Sequence, residues 1–396
     1  MRVCIAKPEW GITGGFELVL DRLVEVLERA GHEVGWARVD VPSLGHQSAG
    51  VEVPDDVWHQ APEYFRYMGI ISAFAELDPP DADVVLCTQP GSWGIHHPRK
   101  LALFSHHLRV FYDLAEDFVA AGYVDPDLHA WCTEEVRAID APRIDEIAHF
   151  LVQSLEVAGR LERFNNIGTE RCSPFLAGIG FRAPGSVTPT PPPADGYVLC
   201  VSRHEWPKRT ELVAAAAHLL PADRGVVLVG SGGRLEHVKA IEVAFGRREV
   251  DEGEALWRGS ELRRPPLLRR DGSGRATFLG HVDTDTLESL YAGALCVVCP
   301  AYLEDYGLTA VEAMAYGKPV VTCHDGGGLV DTVRHEHNGL VCGASPSEIA
   351  RAVRRLIDDP ALRTRLSQGA VASAAEYTWE RAGAQFLDGL ERAAAT

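Results

Sequence analysis

Short runs rich in valine and leucine alternate with amphipathic helical patterns through both halves of the chain, at residues 1–5, 84–87, 101–104, 197–202, 226–229 and 319–323. Parallel strands need a long crossover connection, and the crossover helix covers the sheet, so this alternation predicts parallel sheets with helices on both faces. Between residues 183 and 196 the pattern stops. Five of those fourteen residues are proline, and proline cannot donate to a sheet ladder. A chain of 396 residues has room for two domains of ordinary size. The expectation is an α/β protein with a first domain at 1–184, a linker at 185–196, a second domain at 197–378 and a final helix at 379–396. Ligands of doubly wound sheets lie beyond the carboxyl ends of the strands. A charged, turn-rich stretch at 251–274 reads as a surface excursion.

Composition removes several classes of function. No apolar run approaches the ~20 residues that span a bilayer. Residues 1–6 read as a buried strand rather than a secretion signal, so a cytoplasmic location is expected. The net charge of -18 argues against a nucleic-acid partner. Residues 1–190 hold 28 acidic and 15 basic side chains. That imbalance keeps a protein soluble, and it also favours a cationic ligand over an anionic one. Nine cysteines scattered among apolar runs fit reduced, buried thiols. Cys296 and Cys299 form a CxxC, but strand side chains three apart point to opposite faces, so no metal is expected there.

The densest chemistry follows the strand-like run at 295–300. Glu304 and Glu312 are separated by seven residues, with Gly307 and an apolar helical stretch between them. Glu304 then stands where a strand hands over to a helix, and Glu312 lies about two helical turns on. Amides around Tyr306, Gly307 and Leu308 would be unpaired helix-start donors, which suit a phosphate. Carboxylates for hydroxyls beside amides for phosphate point to a sugar nucleotide.

Other strand ends add to this. Arg203 and Lys208 lie in one loop after the run at 197–202 and could neutralise a diphosphate; the plainer reading is a solvated basic loop. Gly14 and Gly15 precede a helical pattern at 18–30 and would let backbone approach an anion, or simply form a tight turn. Gly230-Ser231-Gly232-Gly233 follows a strand, but Leu235 occupies the place of the last glycine of a dinucleotide loop, so a dehydrogenase is disfavoured. Gly280 ends a similar turn. His106 and His107 close the strand at 101–105, where a histidine could position a sugar or move a proton. Two D-x-D pairs, Asp81/Asp83 and Asp283/Asp285, read as a strand entry and a helix cap rather than a metal site.

Taken in order, Arg203 with Lys208, Gly230 to Gly232, Phe278 to Gly280, Glu304 to Glu312, the run 313–321, Gly326-Gly327 and Asn338 to Leu340 resemble the nucleotide-binding domain of the retaining family 4 glycosyltransferases, whose fold is GT-B. The likeness spans roughly 197–390. The first half resembles the family more loosely, through Gly14-Gly15, the histidine pair and Ser154. The resemblance implies two Rossmann-like, doubly wound domains facing a central cleft, with a C-terminal helix crossing back to the first. It implies that Glu312 holds the ribose, Glu304 the donor sugar, and Arg203 and Lys208 the diphosphate. Gly14, Gly15, Gly230, Gly280, Tyr306, Gly307, Leu308 and Thr309 would complete the donor site. His106, rather than His107, would contact the sugar. Such enzymes need no metal or other cofactor, and the departing phosphate takes the acceptor's proton. Tyr306 replaces the family's usual phenylalanine, and Asp331 its usual glutamate.

The expected activity is transfer of a sugar from a UDP- or GDP-sugar to a hydroxyl of a soluble acceptor, with a cationic aminocyclitol first among acceptors. Alternatives are a cell-envelope or exopolysaccharide transferase, a sugar-nucleotide epimerase on the same fold, and a non-catalytic sugar-nucleotide sensor.

Overall fold

A computed structural model describes residues 1–11, 15–79, 81–122, 124–178, 188–253, 256–257 and 274–396. Gly14, and residues 254–255 and 258–273 of the expected excursion, therefore lie outside the described residues. The chain divides into two compact units: Met1–Gly180 with Trp379–Thr396, and Phe181–Thr378.

Six parallel strands build the sheet of the first unit, in the order Glu33–Asp40, Arg2–Glu9, Val84–Cys87, Lys100–Phe104, His149–Val152 and Cys172–Pro174. Val84–Cys87, Lys100–Phe104 and His149–Val152 are buried at every residue. Helices cover both faces of these central strands, which is why they read as continuous apolar runs instead of alternating ones. Lys100 is tolerated there because its ammonium donates to Glu146 at 2.7 Å and to the Trp93 carbonyl at 3.1 Å.

The second unit has six parallel strands ordered Ala276–Gly280, Val226–Val229, Tyr197–Val201, Ala294–Cys299, Val320–Cys323 and Gly339–Cys342. The chain builds outward from Tyr197–Val201 in one direction, then returns to its other side with Ala294–Cys299. The strand order thus reverses between those two strands, and a doubly wound sheet opens its ligand crevice at such a point. The described part of the proline-rich segment is fastened to this unit: the buried Lys318 ammonium donates to the Thr190 carbonyl at 2.9 Å and to the Ala292 carbonyl at 2.9 Å. Burial among neutral carbonyls pushes its pKa down to about 8.

The helix Trp379–Ala395 belongs to the first unit and buries Phe386, Leu390 and Ala393. Two glycines bring its backbone close. A Cβ at Gly383 would sit 3.1 Å from the Val26 side chain, and one at Gly389 only 2.7 Å from Leu151. Among the described residues no helix is long and apolar enough to cross a membrane.

Asp140, on the helix Pro126–Asp145, is fully buried. Its carboxylate accepts from the hydroxyls of Tyr67 and Tyr112 and, at 2.8 Å, from the Trp93 indole. Burial pushes its pKa up to about 6, against the pull of those donors. Replacing Asp140 by alanine leaves three buried donors unpaired, and each such group costs ~1–3 kcal/mol. Urea unfolding is expected to show a loss of at least about 3 kcal/mol for Asp140→Ala, with Asp140→Asn losing less because it keeps an acceptor.

Candidate functional site

Four loops at the carboxyl ends of neighbouring strands build the candidate site of the second unit. The first, after Tyr197–Val201, carries Arg203 and Lys208. Arg203 is exposed, and its guanidinium makes no hydrogen bond or ion pair among the described residues. Lys208 ends a single 3-10 turn, Trp206–Lys208, and its ammonium forms an ion pair with Glu304. Glu304 follows Ala294–Cys299, so this pair bridges the strand-order reversal. The reading of the sequence placed the lysine on a diphosphate and the glutamate on a sugar; the structure joins the two directly. Each side chain is about one-fifth exposed, at 23% and 18%. Opposite charges brought together at that depth lose less by pairing than by standing alone.

Backbone contacts hold both partners. The Tyr302 amide donates to the Pro207 carbonyl at 2.7 Å. The Leu303 and Glu304 amides donate to the Asp325 and Gly326 carbonyls at 2.9 and 3.0 Å, and the Gly328 amide returns a bond to the Glu304 carbonyl at 2.7 Å. Gly327 is required there: at φ +57° its Cβ would lie 2.7 Å from the Glu304 carbonyl oxygen.

The helix Leu308–Ala315 starts directly after this turn, with Gly307 as its cap at φ +85°. The amides of Leu308 and Thr309 have no acceptor within the helix and carry its positive end. Tyr306 is buried, its ring 6.2 Å from that of Tyr377. Glu312 lies on the same helix and is only 8% exposed. The Tyr291 hydroxyl donates to its Oε2 at 3.0 Å, while Oε1 has no partner among the described residues. Burial, little offset by that one hydrogen bond, raises its pKa to about 8. Tyr291 was not singled out in the sequence; its ring stacks on Tyr316 at 5.2 Å and so fixes the hydroxyl beneath Glu312.

The glycine loop after Val226–Val229 lies flat on the first loop. A Cβ at Gly230, where φ is +130°, would sit 2.0 Å from the Ser202 carbonyl oxygen. The Gly230 amide donates to the Gly280 carbonyl at 2.8 Å, which brings those two predicted positions together.

In the first unit, His106 and His107 part company. His107 is completely buried, stacked on Tyr112 at 4.0 Å, with Nε2 2.6 Å from Asn165 Oδ1. Burial pushes its pKa down to about 3, so it is a neutral core residue. His106 stays partly exposed, with Nδ1 2.6 Å from the His107 carbonyl oxygen and therefore protonated there. Gly15 opens the helix Gly15–Arg29. Ser154 caps the helix Leu155–Asn165, accepting from the Val157 amide at 3.2 Å. The D-x-D pairs have local partners: Asp283 accepts from the Thr286 amide at 2.8 Å, Asp83 accepts from the Arg2 amide at 2.7 Å, and Asp81 pairs with the Arg2 guanidinium.

Two doubly wound units of this kind are the GT-B fold. Sucrose-phosphate synthase from Thermosynechococcus elongatus superposes with a TM-score of 0.69 at 19% identity, over 98% of this chain and 97% of that one. HepE from Anabaena, in complex with UDP-glucose, gives 0.64 at 17% identity over 99% of both chains. Residues 266–372 match the family model "Glycosyl transferases group 1". Two relatives with the name D-inositol 3-phosphate glycosyltransferase are similar in sequence. That of Salinispora arenicola is 41% identical over 185 residues, 42% of this chain, and that of Streptomyces bingchenggensis is 42% identical over 179 residues, 45% of this chain. The matched segments span 41% and 36% of those relatives' own lengths.

Proposed function

We propose that the chain is a retaining glycosyltransferase that moves a sugar from a nucleoside-diphosphate sugar to a hydroxyl of a soluble acceptor. The observation that carries this reading is the Lys208–Glu304 pair at the strand-order reversal, beside the open start of the helix that presents Glu312. A donor entering there exchanges one partner for two. Lys208, with Arg203 and the Leu308 and Thr309 amides, meets the diphosphate, while Glu304 accepts from hydroxyls of the transferred sugar. Glu312 Oε1 accepts from the ribose. Cations and amides already in place stabilise the negative charge that builds on the departing diphosphate. That charge supplies a base for the acceptor's proton. The cations do the work that a divalent metal does elsewhere, and activity is expected to survive chelators.

The relatives are named for D-inositol 3-phosphate, a cyclitol phosphate. The acidic excess of residues 1–190 favours a cyclitol bearing amines over one bearing phosphate. A panel of UDP-, GDP-, dTDP- and ADP-sugars scored by thermal shift identifies the donor, since a ligand at 100 times its Kd stabilises by ~2.7 kcal/mol. Transfer to 2-deoxystreptamine, myo-inositol and inositol 3-phosphate is then compared, with the anomeric configuration of the product read by NMR. An inverted product, or an epimerised donor formed without acceptor, overturns the proposal; a preference for inositol 3-phosphate overturns only the charge argument.

A further inference from the structure

We propose that Arg209 and Asp325 are a positioning pair that sets the Lys208–Glu304 juxtaposition. The inference rests on the functional reading above but has a test of its own.

Arg209 directly follows Lys208. It adopts φ +48°, a left-handed conformation that strains a non-glycine residue, and its side chain is completely buried. The guanidinium reaches the other loops of the site. Nε donates to the Pro300 carbonyl at 2.8 Å and Nη2 to the Ala301 carbonyl at 3.3 Å. Nη1 and Nη2 donate to the two Asp325 oxygens at 2.8 and 2.6 Å, a two-pronged fork. The rings of Trp257 and Tyr302 lie 4.8 and 5.3 Å from its central carbon.

One side chain therefore fastens three strand ends: its own loop, the exit of Ala294–Cys299 that leads to Glu304, and the Asp325 turn against which Leu303 and Glu304 are hydrogen-bonded. A buried ion pair seldom adds stability over an apolar substitute, and here the pair also bears the strained backbone. What it supplies is geometry. Lys208 is held from the next residue, and Glu304 is held through Pro300, Ala301 and the Asp325 turn. Neither residue touches the Lys208 ammonium or the Glu304 carboxylate, so they act through those groups.

Lysine in place of Arg209 keeps the charge but cannot make the fork. Arg209→Lys and Asp325→Asn are each expected to lower kcat for donor turnover by 30-fold or more, with the donor KM changed less than threefold. A purely structural role would lower the unfolding midpoint and leave the kcat of the folded fraction unchanged. The second arm needs no donor. A double-mutant cycle of Lys208→Met and Glu304→Gln, read by urea unfolding, is run with Arg209 and again with Arg209→Lys. Coupling between Lys208 and Glu304 is expected in the first background and lost in the second. If Arg209→Lys does not fold, Asp325→Asn serves as the background. Coupling that persists in a folded variant overturns the proposal. A wild-type chain that turns over no nucleotide sugar overturns the functional reading, and the cycle still decides the positioning role.

Discussion

Replacing Lys208 by alanine is expected to lower turnover of the sugar donor by about 10²–10³-fold, the range measured when one preorganised donor of charge stabilisation is removed. The loss should fall on kcat more than on KM, because the charge Lys208 meets is greatest as the diphosphate departs. Stability should fall by no more than about 1 kcal/mol. The Lys208–Glu304 pair is partly exposed, and such pairs contribute ~0–1 kcal/mol. Glu304→Gln removes the other half and should cost a similar factor in turnover, but through the sugar. The two effects are therefore distinguishable with donors that lack single sugar hydroxyls, to which the lysine variant remains sensitive and the glutamine variant does not. Turnover within threefold of wild type in a folded Lys208→Ala variant would exclude the assigned role.

Glu312 makes the second large prediction, and its sign is unusual for a carboxylate. Its pKa in the folded chain, about 8, lies above the ordinary value of 4.5. Between those two values the unfolded chain has lost the proton and the folded chain keeps it. The stabilising contribution of this group is thus complete below pH 4.5 and is lost as pH rises towards 8, by about 1.4 kcal/mol per pH unit. Glu312→Gln mimics the protonated side chain and can still accept from Tyr291. It should match wild type near pH 5, exceed it by several kcal/mol near pH 8, and lack this pH slope in urea unfolding. Donor binding should run the other way. The ionised carboxylate is the better acceptor for ribose hydroxyls, so affinity rises with pH towards 8 and binding at pH 7 releases a proton. Calorimetry in two buffers of different ionisation enthalpy detects that proton. A wild-type stability curve parallel to that of Glu312→Gln from pH 5 to 8 would refute the assignment.

Much of the architecture was legible because the central strands are buried on both faces and so stand out as apolar runs. The residue types of the site were legible for a similar reason: glycines, bases and acids follow those runs directly. The pairing of Lys208 with Glu304 was not legible. The two are 96 residues apart, and their meeting depends on Tyr197–Val201 lying beside Ala294–Cys299, which no local pattern encodes. Arg209 carries no local signal that sets it apart from other basic loop residues, yet its backbone turns the guanidinium inward. Tyr291 sits in an ordinary amphipathic helix, Thr284–Gly293, and only packing places it under Glu312. The histidine pair shows the same limit. Adjacent residues of one type separate into a core ring and an accessible one because the chain turns between them after Lys100–Phe104.

The discontinuity of the first unit has a consequence for biosynthesis. Its sheet is complete once residue 174 has been made, but Phe386, Leu390 and Ala393, buried on the helix whose Gly383 and Gly389 approach Val26 and Leu151, are translated more than 200 residues later. At ~5–20 residues per second, the amino-terminal half waits some tens of seconds without that helix. The second unit, made later, holds all its parts first. The first unit is thus finished only after the second has been made, and a nascent chain stalled short of residue 379 should be caught by chaperones through its older half.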